Sequence, residues 1–212
     1  MKLTRISKNI SGVIRQGLMD KNHKIVIDPA FDFIDEKIDN KGYCLASLDD
    51  KWGYINTKGI WLIRPELQDL GYFFTDLAAA KTKNLWGFLN RQGEWVVQPE
   101  YERVSDFKMN CALALKNGKW GFLSKKGTWK IEPVIDVIRT FRDNSAFASV
   151  AGKWGIVSRS GKWLAEPIID EIPPEVDDGG DVIPDNFDHK GYCPAKMNGL
   201  WGFIGHDGRW II

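Results

Sequence analysis

The chain of 212 residues is poor in the residue types that most often announce chemistry. It holds three cysteines and three histidines. Cys44, Cys111 and Cys193 are far apart and in no CxxC or metal-ligand spacing, which argues against a zinc site or a disulfide framework and predicts buried, inert thiols. His23, His189 and His206 are equally scattered, so no His-based metal site is expected. There is no P-loop, no GxGxxG after a strand and no GxSxG elbow. With no residue to carry a reaction, the sequence predicts a non-enzymatic protein with no cofactor. The 29 basic and 28 acidic residues leave a net charge of +1, which gives no support for a nucleic-acid partner through bulk charge. No window approaches the roughly 18 apolar residues of a membrane helix. Nor do the first ten residues contain a signal-peptide core. A soluble, cytoplasmic protein without a membrane partner is expected.

Tryptophan and glycine are abundant instead, and they recur in register. Trp-Gly pairs stand at Trp52, Trp86, Trp120, Trp154 and Trp201, spaced by 34, 34, 34 and 47 residues. Nine residues after each comes a second tryptophan, Trp61, Trp95, Trp129, Trp163 and Trp210, so that all ten tryptophans belong to the series. Glycine stands at position seven of each copy, proline at position thirteen (Pro65, Pro99, Pro133, Pro167), and alanine six residues upstream (Ala46, Ala80, Ala114, Ala148, Ala195). A degenerate copy without tryptophan opens the chain, with Gly12 and Pro29 in place. The domain organisation that follows is one repeat domain over 1–212. Its units are roughly 1–36, 37–71, 72–105, 106–139, 140–172 and 189–212, with an acidic insertion at 173–188.

Each unit reads as three short strands. The first break is a two-residue turn such as Asn117-Gly118 or Ala151-Gly152, favoured where both residues need positive φ. The second ends in glycine every time, as in Asn56-Thr57-Lys58-Gly59, which fits a type I turn closed by a left-handed glycine. The middle strand is apolar on both faces and therefore buried. Whether Trp129 lies across from Phe122 or Leu123 depends on a bulge and stays open at this point. The glycine after each first tryptophan, with the neighbouring alanine, is expected to leave room for another unit's ring. The proline is expected to stop the third strand, and the connector behind it to be a short edge strand or a helical turn. The fold class is all-β: a tandem array of about six three-stranded antiparallel meanders of ~34 residues, open and superhelical, with a closed propeller-like ring as the alternative.

Five copies of Trp-Gly, turn, Gly-x-Trp-x-x-x-Pro resemble the WG-repeat family, tryptophan-glycine β repeats common in bacterial proteins. The resemblance is strong over residues 40–212 and weak over 3–36. It implies a β-repeat fold and a role in protein interaction, as a scaffold, adaptor or inhibitor-type binder, and it supplies no catalytic residue. The alternative is a module that binds a glycan or small molecule on exposed aromatics.

The variable positions are the candidates for contact. Lys58, Arg91, Lys125, Lys126 and Arg159 sit on the turns between second and third strands and would form a basic edge. Glu66, Asp69, Glu100, Glu102, Glu132, Asp136, Glu166 and Asp170 would form an acidic edge at the opposite end. Asp177, Asp178 and Asp181 lie in the acidic insertion and would receive a basic partner; their spacing matches no EF-hand loop. Both tryptophans of each unit are assigned to the structural core. The partner is an unidentified protein, and the chain itself is expected to be a monomer or a weak homodimer.

Overall fold

In the computed structural model, the described residues are 3–176, 182–183 and 190–211. They form two compact units, Met1–Glu100 and Tyr101–Ile212, each treated by itself. The first unit opens with an antiparallel sheet of β1 (Leu3–Ile10), β2 (Val13–Asp20) and β3 (Ile25–Phe31). A second sheet follows, of β4 (Phe33–Ile38), β5 (Cys44–Leu48), β6 (Lys51–Ile55) and β7 (Trp61–Leu67). The third is made of β8 (Asp69–Leu70), β9 (Leu77–Thr82), β10 (Leu85–Asn90) and β11 (Trp95–Tyr101). The second unit repeats the pattern with β12 (Arg103–Val104), β13 (Cys111–Lys116), β14 (Lys119–Ser124) and β15 (Trp129–Ile135). Then come β16 (Val137–Ile138), β17 (Ser145–Val150), β18 (Lys153–Ser158) and β19 (Trp163–Ile169). A short pair, β20 (Glu175–Val176) with β21 (Val182–Ile183), precedes β22 (Tyr192–Met197) and β23 (Leu200–Gly205). Among the described residues no sheet closes on itself.

The connector is an edge strand, and it belongs to the sheet that follows it. Val104 pairs with Ala114, Ile138 with Ala148, Leu70 with Ala80 and Ile34 with Ala46. Four complete repeats are therefore four-stranded rather than three-stranded. Each repeat begins just after its proline, a few residues before the boundary that the sequence suggests. The proline does not end the third strand either: β15 runs through Pro133 to Ile135. Trp120 pairs with Ile135 and Phe122 with Ile131, so two residues on β14 face four on β15, and the excess forms a bulge around the proline. Across the other shift, Leu123 faces Trp129, which settles the register the sequence left open.

That bulge explains the Trp-Gly pair. A Cβ on Gly121 would lie 2.7 Å from the Ile131 carbonyl oxygen and 2.6 Å from Cζ3 of Trp129. Gly53 and Gly155 meet Trp61 and Trp163 in the same way. The glycine thus makes room for its own repeat's third strand and second tryptophan, not for a ring from another repeat as the sequence suggested. Turn glycines have a different reason. Asn117 and Gly118 have φ of 53° and 71°, the left-handed pair of a two-residue hairpin, and Lys83-Asn84 and Asp49-Asp50 do the same without glycine.

Within each unit, successive sheets bury one another's faces. Leu45, Tyr54, Ile63 and Leu67 of the second sheet pack with Leu70, Ala78, Ala80 and Leu89 of the third. In the second unit, Phe122, Ile131 and Ile135 pack with Ala146, Ala148 and Val157. The largest fully buried side chains are phenylalanine, leucine, isoleucine and valine, such as Phe88, Phe122, Phe147, Leu18 and Ile55. The tryptophans flank this core rather than fill it: nine are half-buried, and Trp201 is 53 % exposed. A cation covers several of the first tryptophans, Lys81 on Trp86, Arg103 on Trp120, Arg139 on Trp154 and Lys196 on Trp201.

Candidate functional site

Where the second sheet meets the third, the connector residues Tyr72, Phe73 and Phe74 lie against Tyr43, Leu45 and Tyr54. They enclose a groove of about 390 Å³, completed by Lys37, Ile38 and Asp39. Tyr43, Tyr54 and Phe73 form a ring cluster with centroids 4.9 to 5.9 Å apart. Tyr72 and Phe74 are 50 % and 42 % exposed and open the groove to solvent.

All three tyrosine hydroxyls donate internally: Tyr43 to the Arg91 carbonyl at 3.0 Å, Tyr54 to the Gly71 carbonyl at 2.9 Å, and Tyr72 to the Asp35 carboxylate at 2.5 Å. The Asp35 bond pushes the Tyr72 phenol up to about 12, and burial raises that of Tyr54. Arg91 lies over both Tyr43 and Phe73, at 4.8 and 4.3 Å, and pairs with Asp39 at 2.6 Å. Burial alone would raise the Asp39 carboxyl, but the Tyr43 and Lys41 amides together with Arg91 hold it below its ordinary value.

A smaller groove of about 190 Å³ occupies the equivalent place in the second unit, lined by residues that include Asp106, Lys108, Cys111, Leu113, Phe122, Phe141 and Arg159. Tyr43 and Cys111 each stand three residues before the alanine that pairs with the Trp-Gly glycine. Each donates to the backbone carbonyl of the corresponding arginine, Cys111 to Arg159 at 2.7 Å. Arg159 in turn lies 4.5 Å over Phe141, as Arg91 lies over Phe73. The groove between successive sheets is therefore a repeated feature, with side chains that differ between copies.

The basic turn residues separate by position. Arg91 and Arg159, four residues after the Trp-Gly glycine, turn inward: Arg91 is stacked and ion-paired, while Arg159 also donates to the carbonyls of Asp143 and Phe141. Lys125 has the same position and is half-buried. Lys58 and Lys126 are one residue further on and exposed, and neither lines the two grooves. The expected uniform basic edge is thus divided, with its arginines committed to their own fold.

Much of the acidic edge is also committed. Asp136 accepts from the Ala151 amide at 2.8 Å and pairs with Lys119, and Asp170 accepts from the Gly199 amide and pairs with Lys153. Glu102 accepts from the Gly118 amide at 3.2 Å. Each fastens the start of a connector to the first hairpin of the repeat that the connector opens. Asp177, Asp178 and Asp181 lie outside the described residues.

Cys44, Cys111 and Cys193 are free and buried, and burial pushes the Cys44 thiol up to about 12. Among the described residues no cluster of three or more His, Cys, Asp or Glu is placed to hold a metal ion. No helix among them is long and apolar enough to cross a membrane.

Sheets that share one register, one proline bulge and one connector define a tandem β-repeat protein. The matching profile is the WG containing repeat, which aligns with residues 17–52, 52–86, 86–120, 120–154 and 154–179. The chain belongs to that family. The first match takes in part of the copy without tryptophan, and the last Trp-Gly lies beyond the fifth. No curated protein matches. Among solved structures the chain is similar to Kluyveromyces lactis Hsv2, at 10 % identity over 82 % of this chain and 60 % of that one, with a TM-score of 0.36. A eukaryotic initiation factor gives 10 % identity over 100 % and 63 %, with a TM-score of 0.47. A protein of unknown function from Bacteroides caccae gives 14 % over 93 % and 88 %, with a TM-score of 0.30. The chain spans about three-fifths of the length of the first two.

Proposed function

We propose that this chain is a non-enzymatic protein-interaction module that seats an apolar side chain of a partner in the groove between its second and third sheets. The supporting observation is a groove of about 390 Å³ with five aromatic side chains whose hydroxyl donors are already used internally. This volume lies within the ~300–1,000 Å³ typical of ligand sites. Such a wall offers ring faces and edges and few free donors, which suits an apolar anchor. A glycan stacks on ring faces too, but it also requires a fan of polar contacts. The spent hydroxyl donors weigh against that alternative.

The test is selection of peptides from a displayed random library on the intact protein. Expected are peptides with a common aromatic or aliphatic residue whose affinity falls about tenfold or more in Tyr72→Ala and in Phe74→Ala, as for an anchor pocket. Phe74 is 42 % exposed, so its substitution spares the fold; Tyr72 is 50 % exposed but holds the buried Asp35 carboxylate, so circular dichroism checks the fold of Tyr72→Ala. Peptides indifferent to both variants would overturn the reading. Glycan binding lost in the same variants would replace it with the alternative.

A further inference from the structure

The chemistry around the groove also specifies what accompanies the apolar anchor. The carboxylates Asp39 and Asp35 beside it are engaged by the fold, while a cation on its wall is not. Asp39 holds Arg91 and the amides of Lys41 and Tyr43. Asp35 accepts from Tyr72 and from the Lys37 amide at 3.0 Å. By contrast the exposed Lys37 ammonium, on the groove wall, makes no hydrogen bond or ion pair among the described residues. Asp39 is balanced by Arg91 and Asp35 is held by neutral donors, whereas the Lys37 ammonium has no acceptor among the described residues. A carboxylate beside the anchor would supply Lys37 with the acceptor it lacks.

We infer that the occupant is an extended protein segment in which an aromatic residue, seated among Tyr43, Tyr54 and Phe73, is adjacent to a glutamate or aspartate that pairs with Lys37. This rests on the groove being the docking site and adds the charge of the partner. In the second unit the smaller groove is lined by a lysine too, Lys108, together with Asp106 and the committed Arg159.

The experiment uses two fluorescein-labelled peptides, one carrying Trp-Glu and the other Trp-Lys in the same Gly/Ser context, titrated against the full chain by fluorescence polarisation. The Glu peptide is expected to bind about tenfold more tightly, an effect that weakens with salt as an ion pair at a rim does. In Lys37→Glu the preference should reverse, the Lys peptide gaining as the Glu peptide loses. Lys37 is exposed, so this variant keeps its fold, which circular dichroism checks. Equal affinity of the two peptides, or a preference unchanged in Lys37→Glu, overturns the inference. If both peptides bind equally and both are lost in Tyr72→Ala, only the charge assignment fails. If neither depends on Tyr72 or Phe74, the docking site itself is wrong.

Discussion

Gly121→Ala tests the reason given for the Trp-Gly pair. The added methyl carbon would stand 2.6 Å from Cζ3 of Trp129 and 2.7 Å from the Ile131 carbonyl, where ordinary carbon contacts need about 3.5–4.0 Å. Ring and bulge must both retreat by about 1 Å, and the bulge is held by the pairings Trp120–Ile135 and Phe122–Ile131. Overpacking of this kind costs about 1–3 kcal/mol. Two simultaneous clashes, one with backbone, place this case near 3 kcal/mol. At roughly 2–4 °C per kcal/mol for a chain of this size, calorimetry should show a melting temperature lower by about 6–12 °C. Gly118 is the control, because a Cβ there meets nothing within 4 Å and only its φ of 71° is at issue. Gly118→Ala should cost about 1 kcal/mol. Gly118→Asn should cost less, since Asn84 holds φ of 64° at the same turn position. If Gly121→Ala lies within about 0.5 kcal/mol of wild type, or costs no more than Gly118→Ala, the steric account is wrong.

Phe122 is 2 % exposed and Trp120 half-buried, so Phe122→Ala should cost about 3–5 kcal/mol in urea unfolding and Trp120→Ala less despite its larger ring. The reverse order would restore the tryptophans to the core. Asp39 has a folded carboxyl below its ordinary value of 3.8, so its stabilisation is present above that value and is lost as pH falls through the lower folded one. Asp39→Asn should lower stability at pH 7 and flatten the loss below about pH 4, measured by chemical denaturation across pH; an unchanged acid limb would show that the Arg91 pair contributes nothing.

The repeat was legible because its physics is local. Turn residues declare hairpins wherever both turn positions need positive φ, and Asn117-Gly118 does so without reference to any neighbour. Register was not legible, because it is decided by a bulge that no single residue encodes. Proline cannot donate to a ladder, so the sequence points to Pro133 as an end of strand. It sits instead at the bulge, where the widened pairing asks for no such bond, and the glycine opposite is the other half of the same device. The connector's pairing with the next repeat was hidden too, since two residues such as Val137 and Ile138 carry no periodicity of their own.

The grooves were harder to see, for a reason that follows from the repeat itself. Recurrence marks tryptophan and glycine, whose places are fixed by packing within one repeat, and leaves the remaining charges resembling a free edge. Yet the turn residue four places after the Trp-Gly glycine points back onto a phenylalanine eighteen places before itself, as in Arg91 on Phe73 and Arg159 on Phe141. The next residue along, Lys58 or Lys126, faces solvent. One position of offset thus decides whether a basic side chain props a groove wall or remains free. The repeat supplies the wall, and the non-recurring residues, Tyr43 where the second unit has Cys111, set its chemistry. A partner that distinguishes Glu from Lys beside its anchor would be reading Lys37, a residue outside the repeat signature altogether.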